Sequence, residues 1–188
     1  MRCNIALAVL ALGATSPAVT AMESYTADPA HTFPSFEISH GGDFTLTRGF
    51  FQKTSGRITL DRQAKTGSIE IVVDTASMTT GQQARDNIVR ANWLKAEQFP
   101  QMIYRSKNLK FTGDVPTGAE GELSLAGVTR PASLAITSFK CRPHPVNKKP
   151  QCGADGTANI KRSDFGLNAQ SSVGDDIRIL FQIEAYQD

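Results

Sequence analysis

The sequence predicts an antiparallel all-β fold interrupted by a single α-helix, and three observations carry that prediction. Short segments of alternating apolar and polar residues recur along most of the chain, the period that turns one face of a strand toward a core. Residues that favour turns separate these segments. One stretch alone, residues 79–94, changes to helical spacing. Because the apolar residues alternate instead of forming continuous runs, the sheet reads as antiparallel and half-buried. Periodicity leaves a barrel and a sandwich both open.

Residues 1–21 read as a cleaved secretory leader. Arg2 precedes an apolar run over residues 5–12, and the small residues Val19 and Ala21 mark a cut after Ala21. The run is shorter than the roughly 20 residues of a spanning helix, so no stable membrane insertion is expected. Residues 22–188 then form one exported domain, long enough to bury a core.

Taken in order, Phe36, Ile38 and His40 alternate with Ser35, Glu37 and Ser39, and the pattern continues through residues 44–51 and 56–60. Residues 61–67 form a polar turn. Ile69, Ile71 and Val73 share one face of the next strand. The helix places Ala84, Ile88 and Asn92 near one face, widened by Val89 and Trp93. Thr79 or Thr80 caps its start, and it ends before Pro100, which holds Phe99 out of the helical region. A short further turn fits residues 95–98. Strands follow over 102–111, 122–125, 133–139, 158–161 and 176–186. In the last of these Ile177, Ile179, Phe181, Ile183 and Ala185 oppose Arg178, Gln182 and Glu184. Gly127 and Pro131 read as hinges of a hairpin, since Gly admits a positive φ while Pro fixes φ and lacks a donor. The strand count is about eight to ten, and eight would close a barrel able to fill itself or to hold one small ligand.

Composition narrows the function. With 20 Lys and Arg against 18 Asp and Glu, the chain is close to neutral, which excludes a nucleic-acid binder; Lys148, Lys149 and Arg142 read as a solvated loop. Once Cys3 leaves with the leader, Cys141 and Cys152 remain as an even pair. They flank a proline-rich loop, 142–151, that suits neither strand nor helix. A disulfide is expected between them in an oxidising compartment, contributing about 3 kcal/mol in the chain-entropy model. A metal pair with His144 would lack a fourth ligand. The chain has no Gly-x-Ser-x-Gly elbow, His-Glu-x-x-His pair or phosphate-cradling loop. His31 and His40 lack a third metal ligand and read as strand-end and turn-capping residues. The expectation is a protein that is not an enzyme and holds no metal or cofactor.

Several segments are more distinctive in wording. One is Val73-Asp-Thr-Ala-Ser-Met-Thr-Thr-Gly81 running into Arg85-Asp86, then Phe99-Pro100 and Tyr104-Arg-Ser106. A second is Leu125-Ala-Gly-Val-Thr-Arg-Pro131. A third is Ile160-Lys-Arg-Ser-Asp-Phe-Gly-Leu167 with Val173-Gly-Asp175, and Asp28-Pro-Ala-His31 opens the domain. Together, over residues 25–185, they are similar to the YceI-like family of bacterial secreted polyisoprenoid-binding domains. The chain departs from the family pattern at His40-Gly-Gly-Asp-Phe44, at Trp93-Leu94 and in its cysteine-flanked loop.

The resemblance implies an eight-stranded antiparallel lipocalin-like barrel with one inserted α-helix, located in the periplasm. It implies a non-enzymatic protein whose partner is a long-chain isoprenoid lipid, such as ubiquinone or a polyprenyl phosphate, held in an apolar tunnel with its head near the opening. A homodimer stays open. The candidate lining is Phe36, Ile38, Ile71, Val73, Ile88, Trp93, Tyr104, Leu123, Leu134, Ile136, Ile179 and Phe181. Head-group candidates are Arg85, whose guanidinium suits a phosphate or quinone carbonyl, with Asp86 and Arg162. The structural alternative clamps Arg85 and Asp86 to Arg162 or Asp164 at the barrel rim, and Arg162 with Asp164 also reads as a rim pair. Gly166 reads as a bulge or a close backbone approach. A competing function is a protein-interaction or stress-protective module whose barrel is filled by its own side chains. Free interior volume separates the two.

Overall fold

Alternating residues build a closed wall. In chain order its strands are β1 (Glu23–Ala27), β2 (Ser35–His40), β3 (Thr45–Phe51), β4 (Thr54–Asp61), β5 (Thr66–Asp74), β6 (Met78–Thr79), β7 (Gln101–Thr112), β8 (Val115–Leu125), β9 (Val128–Pro143), β10 (Pro150–Lys161) and β11 (Val173–Gln187). The computed structural model describes residues 22–167 and 172–188. The leader expected at 1–21 lies outside them. Eight strands close a ring in the order β1, β4, β5, β7, β8, β9, β10, β11, and β11 returns to β1 through Tyr25 opposite Gln187 and Ala27 opposite Ala185. Every pairing is antiparallel, so the fold is the eight-stranded barrel that the resemblance implies.

The wall is not uniform along its height. Where β1 leaves the edge of β11, β2 takes over, with Leu180 opposite Ser35 and Ile177 opposite Ile38. β3 pairs with β2 as β4 pairs with β1. Thus β1 and β2 form one path interrupted at residues 28–34, and β3 and β4 form a second, interrupted at Gln52 and Lys53. The far edge of β3 meets β6 through two residue pairs, Phe50 with Thr79 and Phe51 with Met78.

The helix, α1 (Gln83–Ile88), runs on as a π-helical turn over Val89–Trp93 and stops well before Pro100. Its cap is Gln82, whose side-chain oxygen accepts from the Arg85 amide at 2.6 Å, so neither Thr79 nor Thr80 caps it. The face expected to pack is also different. Ala84, Ile88 and Asn92 are exposed, while Asp86 is buried and Val89 and Trp93 are half-buried. The cause is Asp86: both threonines bond its carboxylate and turn that side of the helix inward.

Three local expectations are corrected by hydrogen-bond geometry. The proline-rich segment is the end of a hairpin, not a loop over all of 142–151: Cys141 faces Cys152, and Pro143 faces Pro150. The next pair is hydrogen-bonded, His144 donating to the Lys149 carbonyl at 2.8 Å. Alternation makes the proline pair a non-hydrogen-bonded one, so no ladder bond between those strands is lost. The cysteine pair lies two positions on, in the same closely spaced register, with Cα atoms 4.0 Å apart and the disulfide formed. Pro131 likewise lies within β9, opposite Glu122, and does not hinge the hairpin. Its missing donor would point toward β10, whose pairing with β9 begins only at Ala135. The turn is Ala126-Gly127, with φ of 49° and 81°. Gly127 also leaves room for Phe99, whose ring a Cβ would meet at 2.6 Å. Finally, residues 163–165 form a 3₁₀ turn, and Gly166 ends it at φ 67° with open space around it. Its role is the left-handed backbone, not a bulge or a close approach.

Candidate functional site

Three apolar compartments lie end to end inside the barrel. The first, about 250 Å³, opens beside α1 and is walled by Phe36, Ile38, Phe51, Met78, Val89, Trp93, Leu94 and Ile177 among others. The second, about 70 Å³, lies among Val73, Tyr104, Leu123 and Ala158. Pro34, Met102, Ile160 and Ile179 line both. The third, about 80 Å³, lies among Tyr25, Leu60, Leu109, Ile136, Phe139 and Cys152. It shares Ile71, Leu134, Phe181 and Ile183 with the second. The shared side chains stand between neighbouring compartments and join their linings into one apolar column from the helix to the disulfide, with three distinct spaces along it.

Each expected lining residue falls on this column. Phe36, Ile38, Ile88 and Trp93 line the mouth, and Ile179 lies between mouth and middle. Val73, Tyr104 and Leu123 line the middle, Ile71, Leu134 and Phe181 face both inner compartments, and Ile136 lines the third. Sequence reasoning missed Thr47, Met78, Met102, Ile160, Leu167 and Ile177 as lining. Ile177 and Ile160 carried a usable signal, the same alternation that marked Ile179. Met78 and Leu167 sit on segments too short or irregular to show a period.

Of the three head-group candidates, only Arg85 lines the cavity. It donates from Nε to Thr80 Oγ1 at 2.7 Å and from Nη2 to the Thr80 carbonyl at 3.3 Å. No carboxylate forms an ion pair with it among the described residues. His40, Thr47, Thr80 and Ser172 add polar groups to the same mouth.

Asp86 serves the protein's own chain instead. It accepts from Thr79 Oγ1 at 2.7 Å, the Thr80 amide at 2.8 Å and Thr80 Oγ1 at 2.5 Å. Burial works against its charge, but the bonds from Thr80 and Thr79 outweigh it and hold the carboxyl below the ordinary range. Arg90 stands 4.0 Å away and donates to the Met78 carbonyl. Together these contacts fasten α1 to β6.

Arg162 is buried and donates to three backbone carbonyls, Leu167 at 2.5 Å, Gly174 at 3.1 Å and Val173 at 3.4 Å. Its guanidinium carbon lies 5.6 Å from the centre of the Trp93 ring. The expected clamp to Arg162 or Asp164 is therefore replaced by two separate ones, Asp86 to the threonines and Arg162 to backbone. Arg162 and Asp164 form no rim pair, because residues 163–165 turn and do not continue the strand.

In the middle compartment Tyr104 is the one titratable side chain among the lining residues. Burial pushes its hydroxyl up to about 12, so it stays neutral, and it reaches the carbonyls of Ala132 at 3.3 Å and Ala119 at 3.4 Å. The middle compartment thus offers an apolar surface without charge. His31 pairs with Asp28 at 2.7 Å outside the barrel. No group of three or more His, Cys, Asp or Glu residues placed to hold a metal occurs among the described residues.

The third compartment borders the disulfide end of the barrel. Arg62 reaches Cys141 Sγ at 3.1 Å and Cys152 Sγ at 3.8 Å, and its guanidinium carbon lies 5.5 Å from the centre of the Phe139 ring. Its Nε stands 3.3 Å from Glu23 Oε2, which also accepts from the Tyr25 hydroxyl at 2.9 Å.

Comparison with known proteins agrees with this architecture. The family model of the YceI-like domain matches residues 25–185. A UPF0312 protein of Ectopseudomonas mendocina (strain ymp) is 28% identical over 185 residues, covering 95% of this chain and 96% of the relative. Protein YceI of Salmonella arizonae is 27% identical over 176 residues, covering 92% and 91%. Among solved structures, Burkholderia cenocepacia BcnA superposes with a TM-score of 0.67 at 22% identity, covering 84% of this chain and 98% of that one. A polyisoprenoid binding domain from Saccharophagus degradans, implicated in plant cell wall breakdown, superposes with a TM-score of 0.64 at 16% identity, covering 87% and 98%.

Proposed function

The chain belongs to the YceI-like domain family, and from that premise we propose that it is an exported, non-enzymatic binding protein that holds a polyisoprenoid lipid in its barrel. The observation that carries the reading is the row of three apolar compartments along the barrel, the mouth one about 250 Å³. A lipid of the ubiquinone or polyprenyl phosphate type would place its chain down the column. Its head would lie at the mouth, where Arg85 has no carboxylate partner among the described residues and its guanidinium suits a phosphate or a quinone carbonyl. Each buried methylene contributes about 0.8 kcal/mol gross, less the ordering of a flexible chain, so affinity rises with chain length until the column is full. The related domain from Saccharophagus degradans, described as binding polyisoprenoid, supports the ligand class.

The leader at 1–21 and the disulfide support a periplasmic location, with residues 22–188 as the mature domain. No helix among the described residues is long and apolar enough to cross a membrane. A barrel filled by its own side chains fits the space at the mouth poorly, since protein interiors pack without voids of that size. Native mass spectrometry of protein purified from its own periplasm tests the reading, with an isoprenoid adduct as the expected result. A ligand-free spectrum, together with no binding of long-chain prenyl quinones or prenyl phosphates, overturns it.

A further inference from the structure

We infer that Arg62, anchored by Glu23 and seated on the Cys141–Cys152 disulfide, is the stop that sets how long an apolar chain the barrel accepts. This rests on reading the column as a lipid tunnel. Phe139 and Cys152 are among the side chains that line the third compartment, and Arg62 packs behind them. Against those two side chains lies not another hydrophobe but a guanidinium, 5.5 Å from the Phe139 ring centre and within 3.1 and 3.8 Å of the two sulfurs.

The choice of residue is informative. Arg62 Nε is buried and makes no hydrogen bond of good geometry, although Glu23 Oε2 is 3.3 Å away. Leaving such a donor unpaired is unfavourable, and an apolar residue would seal the end without that penalty. An apolar seal, however, would be continuous with the column, and a chain terminus could slide along it and displace it. A guanidinium held by Glu23 presents the advancing terminus with a charge that must keep its ionic partner and its water. The Tyr25 hydroxyl donates to the same carboxylate oxygen, Glu23 Oε2, and so steadies the anchor. The disulfide holds the two strands beneath the stop in one register, so the floor does not open with the hairpin.

The test measures affinity for prenyl quinones of increasing side-chain length, in the wild type and in folded variants. Wild-type affinity rises by about tenfold per isoprene unit, the transfer gain of its carbons less their ordering, and then levels off. In Arg62→Ala the plateau moves to longer chains by at least one unit, while short-chain affinity stays within about threefold. Arg62→Lys, which keeps a charge beside Glu23, retains the wild-type plateau. Should Arg62→Ala not fold by circular dichroism, Glu23→Gln removes the anchor alone and moves the plateau in the same direction. A wild-type affinity that climbs without levelling, or an unchanged plateau in the folded variants, overturns the stop while leaving the lipid-binding reading intact. Failure of the wild type to bind any chain length overturns both.

Discussion

Two arginines stand near opposite ends of the same barrel, and they are held in opposite ways. Arg162, at the mouth, is buried, carries no ion pair among the described residues and spends its donors on three backbone carbonyls. Arg62, at the far end, is about one-third exposed along its side chain (34%), pairs with a carboxylate and touches sulfur and an aromatic ring. The wall between them is one repeating pattern of inward apolar residues. At the mouth a guanidinium clamps carbonyls of irregular backbone; at the far end a covalent crosslink joins two strands and a charge packs against it.

Stability measurements can break this comparison. Arg162→Ala should cost about 4 kcal/mol in denaturant unfolding, because it leaves buried carbonyls without donors. Arg62→Ala should cost about 1 kcal/mol, since a partly exposed ion pair is screened by solvent. Equal losses would show that the two ends are held alike. Replacing both cysteines by serine should cost about 3 kcal/mol, read as a lowered melting temperature that reductant no longer affects. A loss much below that would move the structural weight of the floor from the disulfide to Arg62 and Glu23.

Acid should act on the mouth through Asp86. Its folded-state pKa lies below the unfolded value near 3.8, so its contribution is complete above that pH and is lost as pH falls through the folded value. Asp86→Asn should therefore cost about 2 kcal/mol at neutral pH and flatten the fall in stability below pH 3.8, followed by denaturation at stepped pH. The smallest expected effect on stability is Ile88→Glu, within about 0.5 kcal/mol because Ile88 is 53% exposed. The same change places a charge on the cavity lining, and prenyl-quinone affinity should fall about tenfold. Unaltered affinity would separate the mouth described here from the route of entry.

The strands were legible in sequence because an antiparallel wall with one wet face writes its geometry as alternation. Ile71, Val73, Ile179 and Phe181 show it, and all face the column. What alternation does not carry is a bond between segments. The buried face of α1 was misplaced because two threonines on and just after β6 draw a carboxylate inward, against apolar residues one turn away. Prolines 131, 143 and 150 read as breakers because a missing donor counts against a strand whichever way it would point. The spacing of a strand pairs Arg162 with Asp164, but the chain turns there. Arg62 gave no signal at all: its partners Glu23, Phe139, Cys141 and Cys152 come together only when the ring closes.

The two interruptions in the wall lie side by side, and that alignment has a mechanical meaning. β11 is a continuous stave gripped below by β1 and above by β2. The β2–β3 hairpin hangs from it as a flap, fastened along its other edge by only two residue pairs to β6. Swinging that flap breaks few ladder bonds and leaves the lower hoop of eight strands paired. Amide protons of β2 and β3 should therefore exchange sooner than those of β8 and β9. The barrel is therefore expected to widen on the helix side while its ring of eight paired strands stays intact.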